Sequence, residues 1–85
     1  MSVVLPIIHQ NGTHPDRLIQ ALADFRYELS ALKDKLGTIS PNGRDYYRDP
    51  GRMNLAVEQH NRRAKVLEDL LAELDAEILG IVNQC

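Results

Sequence analysis

Apolar residues recur along this chain at alternating steps of four and three, in two stretches divided by a polar segment. Leu18, Leu22, Phe25, Leu29, Leu32 and Leu36 make the first stripe; Met53, Val57, His60, Ala64, Leu67, Leu71, Leu74, Ile78 and Ile81 make the second. Such steps average 3.5 residues and hold one face of a helix against a partner. The pattern predicts an all-α fold: an antiparallel two-helix hairpin with an extended N-terminal segment, self-associating into a helical bundle. Val66 and Leu70 lie beside the second stripe and widen its apolar face, which suits a bundle better than an isolated pair. With 85 residues a hairpin covers only one side of each helix, so it needs a third layer. Residues 1–10 or another copy of the chain can supply it, and the widened face favours the copy. A monomer sealed by the N-terminal segment is the alternative.

The breaks in the pattern place the boundaries. Residues 1–12 read as an extended strap or edge strand, because Pro6 interrupts an apolar, β-branched run and removes a backbone donor. Residues 13–85 form the hairpin, with a first helix from about 14 to 36, a loop over 37–49 and a second helix from about 50 to 82. Asn11-Gly12 marks a turn, Thr13 is the expected cap of the first helix, and Pro15 and Asp16 suit its first turn. Gly37 is expected to end that helix in a left-handed conformation. Ser40-Pro41-Asn42-Gly43 reads as a β-turn. Asp49 then caps the second helix, with Pro50 at its first position.

Composition adds two facts. The net charge of −2 conceals a division. Residues 41–65 carry six cations against three anions, whereas residues 66–85 carry five anions and no cation. In a hairpin the positive block sits at the bend and the negative block at the open end. The single cysteine, Cys85, provides no intrachain disulfide. A reducing, cytoplasmic setting is the expectation, strengthened by the lack of a recognisable signal peptide or membrane span.

Candidate chemistry concentrates in the bend. Arg44, Arg48 and Arg52 offer forks for phosphate or carboxylate, and Tyr46 and Tyr47 offer faces for a base. Asn42 and Gly43 are expected to line polar walls, Gly43 allowing close approach to the backbone. Asn11, Gly12 and Thr13 complete the candidate set. They lie at the open end of their own hairpin and reach the arginines only across an antiparallel neighbour. The simpler reading has the tyrosines plugging the bundle and the arginines pairing with Asp45 and Asp49 on the surface. No catalytic triad, nucleophilic cysteine motif or phosphate-binding glycine loop is present, so no enzymatic activity and no cofactor are expected. His9 and His14 lack metal-ligand spacing. His60 occupies a stripe position, where a polar residue sets register, and pairing with its symmetry mate would make the bundle weaken below about pH 6. One basic end with an acidic tail argues against double-stranded nucleic acid as a partner.

Asn11-Gly12-Thr13 before the first helix and Pro41-Asn42-Gly43-Arg44-Asp45-Tyr46-Tyr47 before the second resemble small accessory proteins of bacteriophages and prophages. The likeness runs from about His9 to Ile81 and implies a phage accessory product acting in the host cytoplasm. In scale, helical hairpin and arginine–tyrosine loop, the chain also resembles phage counter-defence proteins that sequester nucleotide immune signals between subunits. Such a likeness implies a homo-oligomer that takes a small nucleotide-like ligand. The alternative partner is a host protein, bound by an adaptor or inhibitor with no small-molecule ligand.

Overall fold

The chain's two long apolar stretches are both helical in a computed structural model, which describes residues 3–84. Met1 and Ser2 of the expected strap, and Cys85, lie outside the described residues. Helix α1 spans Pro15–Lys35, a 3-10 turn spans Leu36–Ile39, the single-turn helix α2 spans Gly43–Tyr46, and α3 spans Pro50–Val82. No strand occurs among the described residues.

His14, not Thr13, caps α1: its Nδ1 accepts a hydrogen bond from the Asp16 amide at 3.2 Å. The expected cap is displaced by one residue because Pro15 fills the first helical position, which makes its predecessor the cap. Gly37 does not adopt the expected left-handed conformation, since no described residue has a positive φ of that kind. The chain instead tightens into the 3-10 turn, where the Thr38 hydroxyl donates to the Lys35 carbonyl at 2.7 Å. That bond satisfies an end-of-helix acceptor which a glycine cap would otherwise serve. Asp49 caps α3 by accepting from the Arg52 amide at 3.2 Å, with Pro50 in the first turn.

α1 and α3 lie side by side and run in opposite senses. Arg26 is bonded to Asp75, and Lys33 stands 3.4 Å from Glu68, so numbers rise along one helix as they fall along the other. Leu29 is buried between them, with Leu22, Leu36, Leu67, Leu71 and Leu74 half-buried along the same seam. Two positions of the α1 stripe depart from expectation: Phe25 and Leu32 are 55% and 57% exposed. Arg26 and Lys33 occupy the seam edge in their place. Their aliphatic stems lie along apolar surface while their charged heads reach carboxylates on α3, so α1 is rolled toward its cationic side. The hydrogen bond and then the charge of Asp75 hold the Arg26 guanidinium above its ordinary value, and Asp69 does the same for Lys65. A raised cation contributes fully below its unfolded value and loses that contribution only as pH climbs through the raised one.

The N-terminal segment is extended and strapped to the far end of α3. Gln84 holds it with both ends of its amide: Nε2 donates to the Pro6 carbonyl at 2.8 Å, and Oε1 accepts from the Ile8 amide at 3.1 Å. Leu5 lies against Gly80 so closely that a Cβ there would stand 2.6 Å from its Cδ1. The strap therefore seals one end of the rod and leaves its flanks open.

His60 faces Ser40 within the chain, its Nε2 lying 3.3 Å from the hydroxyl, while its Nδ1 is buried with no partner. A buried orphan nitrogen costs more than one neutral hydrogen bond returns. His60→Leu is therefore expected to raise unfolding stability by about 1 kcal/mol, read from denaturant melts. A fall instead would show that Nδ1 has a partner in the assembled protein.

Candidate functional site

The bend between the Leu36–Ile39 turn and α3 carries six of the ten candidate residues in one short segment, and Arg52 follows in the first turn of α3. Its shape is set locally. Asn42 Oδ1 accepts from the Asp45 amide at 3.2 Å while its Nδ2 donates to the Asp45 carboxylate at 3.0 Å. This reciprocal cap starts α2 within the segment expected to be an irregular loop, and the spacing of Asn42 and Asp45 carries the signal for it. α2 then packs on α3, which leaves Tyr46 half-buried and Tyr47 exposed.

The two tyrosines thus part company. Tyr46 anchors the bend, and Tyr47, 71% exposed, presents its ring to solvent. Arg48 lies over that ring with its guanidinium carbon 5.5 Å from the centroid, and its Nε donates to the Tyr47 hydroxyl at 3.0 Å. Stacked cation and aromatic ring form a preorganised surface for a planar, negatively charged group. Arg44 is exposed and makes no polar contact among the described residues. Arg52 is tied to its own helix cap, 3.6 Å from Asp49, as the surface-pairing reading expects. Gly43 has open space where a side chain would stand, so nothing in the chain blocks approach to its backbone.

Asn11, Gly12 and Thr13 lie apart from this group. They precede α1, whose 21 residues extend for about 31 Å before the chain reaches the bend. Gly12 closes a tight turn, its amide donating to the His9 carbonyl at 3.1 Å, and an added Cβ would meet the His9 ring at 2.8 Å. One chain encloses no pocket among its described residues. Nor do any three His, Cys, Asp or Glu side chains among them stand together to hold a metal. Among the described residues, no helix is long and apolar enough to cross a membrane.

Two features of the site lay outside the candidate residues named from the sequence. Arg62 and Arg63 continue the cationic surface along α3 and make no ion pair among the described residues. The α2 turn, which separates the roles of Tyr46 and Tyr47, was the other. No protein-family model, curated protein or solved structure matches this chain.

Proposed function

We propose that this chain is a non-enzymatic binding protein: an antiparallel two-helix hairpin that self-associates and captures a small anionic, ring-bearing ligand between its copies. A nucleotide-derived signal fits that description. The observation that carries the reading is the exposed Tyr47–Arg48 stack, with the exposed Arg44 three residues before it in the chain, on a surface that one chain leaves unenclosed. Arg44 and Arg48 would engage phosphate, Tyr47 would stack a base, and Arg52 would join them on release from Asp49. Base–aromatic stacking contributes about 1–3 kcal/mol per base, so a second wall is required for tight capture. Asn11, Gly12 and Thr13 of a neighbouring copy would provide it. The resemblance of both turns to phage accessory proteins agrees with a role in intercepting host nucleotide signals.

Thermal melts with a panel of mono-, di- and cyclic nucleotides test the reading. A ligand that binds only folded protein stabilises it by about 2.7 kcal/mol at a hundred times its Kd, so at least one nucleotide should raise Tm clearly. Changing Arg44 and Arg48 together to Ala should abolish that rise and leave the helical circular dichroism unchanged.

A protein-interaction adaptor is the second reading, favoured by the exposed apolar side chains Leu55 and Val66 on α3. It gives no shift with any nucleotide, retention of a host protein on the immobilised chain, and indifference to the double arginine change.

A further inference from the structure

We infer that a second copy of this chain docks on one defined flank of the rod and runs antiparallel to the first. The inference rests on the composite-site reading, which requires a second subunit, and supplies the face and direction that reading leaves open.

The rod is one layer thick. Its extents of 63 × 22 × 15 Å match a pair of helices each about 10–12 Å across, with nothing stacked on them. A globular monomer of 9.6 kDa exposes about 5,100 Å², whereas this chain exposes 6710 Å². The excess, about 1,600 Å², is twice the area that each partner contributes to an interface of standard size.

The two flanks differ in chemistry. Arg26–Asp75 and Lys33–Glu68 close one of them with ion pairs. Phe25 and Leu32 each precede one of those cations by one residue, a turn of about 100° around the helix, and they open onto the other flank. On α3 that flank shows a second stripe at steps of four and three: Gln59, Arg63, Val66, Leu70, Glu73 and Glu77. Leu70 and Glu77 are half-buried and the rest exposed. None of its charged members forms an ion pair among the described residues.

This stripe is complementary to its own reverse. Laid antiparallel on a copy, Val66 meets Leu70 of the partner subunit, and Arg63 meets Glu73 of the partner subunit, each pairing occurring twice by symmetry. Laid parallel in register, Arg63 meets Arg63 of the partner subunit, and Glu73 and Glu77 likewise meet their own kind. Flanking charges decide helix orientation in this manner, because like charges brought together weigh heavily against the wrong arrangement. The same antiparallel offset lays the acidic residues 68–77 of each α3 beside residues 59–68 of its neighbour, the stretch that carries Arg62, Arg63 and Lys65. It also sets the end of one rod that carries the Asn11–Thr13 turn beside the end of the other that carries the bend, as the composite site needs.

The test is a charge exchange on the full chain, with mass read by sedimentation equilibrium. The wild type should be a dimer or a multiple of one. Arg63→Glu and Glu73→Arg, each alone, should raise the dissociation constant at least about tenfold, and the double variant R63E/E73R should return it to near the wild-type value. Circular dichroism keeps fold separate from assembly, since neither side chain has a hydrogen-bond or ion-pair partner among the described residues. A monomeric wild type, single variants that assemble normally, or a double variant without recovery would each overturn the pairing. If charge exchange behaves as expected while no nucleotide raises Tm, the pairing is supported and only the ligand reading fails.

Discussion

Leu29→Ala is expected to lower the unfolding free energy by about 2–5 kcal/mol and to shift the thermal midpoint down by at least about 10 °C. Leu29 is 6% exposed and sits at the middle of the α1–α3 seam. Its truncation removes transferred apolar surface and leaves a cavity that two rigid helices close only in part. An 85-residue chain holds a total stability of about 4–13 kcal/mol, so this one change consumes a large share. Phe25→Ala, four residues earlier, is the contrasting case. Phe25 is 55% exposed within one chain, so the same measurement on a dilute, dissociated sample should register under about 1 kcal/mol. If copies assemble as proposed, the Phe25 loss should grow at higher protein concentration and the Leu29 loss should persist. Urea melts at two protein concentrations check both, and an unchanged Leu29→Ala midpoint would show that the seam lies elsewhere.

That contrast also marks how far the chain was legible. Period is a strong signal because it is repeated many times: the α3 stripe from Met53 to Ile81 lies on the packed side almost throughout, and the all-helical architecture follows from it. Rotational phase about α1 is a weaker signal. Leu22, Leu29 and Leu36 are shared by two possible seams, one completed by Phe25 and Leu32 and the other by Arg26 and Lys33. A polarity scale prefers the first, since it counts the charged heads. The structure adopts the second because the stems of Arg26 and Lys33 pack and their heads meet Asp75 and Glu68 across a gap that linear sequence does not display. Only the turn-wise position of α3's carboxylates could have revealed it.

The bend was legible as a cluster for a simple reason. Arg44, Tyr46, Tyr47, Arg48 and Arg52 are near neighbours in sequence, so no long-range pairing had to be inferred to bring them together. Their division of labour was not legible, because it depends on α2, a single turn fixed by Asn42 and Asp45. The far wall proposed for Asn11, Gly12 and Thr13 would be a property of two chains, and no pattern within one chain measures it.

Removing residues 1–10 is expected to destabilise the protein by about 3–5 kcal/mol, a loss read at the far end of α3. Ile81 is fully buried although it lies in the last turn of the longest helix, where fraying is the rule. Gly80 and Gln84, on either side of it, both touch the strap, which places the strap against the turn that holds Ile81. Exposing an isoleucine costs about 1.5–3 kcal/mol, and each Gln84 hydrogen bond contributes about 0.5–1.5 kcal/mol more. Gln84→Ala should reproduce part of the loss, and Gly80→Ala another part, because its new methyl must displace Leu5. Val4→Ala should do nothing measurable, Val4 being 91% exposed. Hydrogen exchange resolves the location: amides from Ile78 to Gln84 should exchange faster in the truncated and Gln84→Ala proteins, while those around Leu71 hold. Unchanged exchange from Ile78 to Gln84 without any fall in Tm would mean that the strap orders only itself. If the strap is instead what fixes the Asn11-Gly12 turn, the Gln84→Ala protein should also lose nucleotide-induced stabilisation in proportion to that loosening, with its arginines untouched.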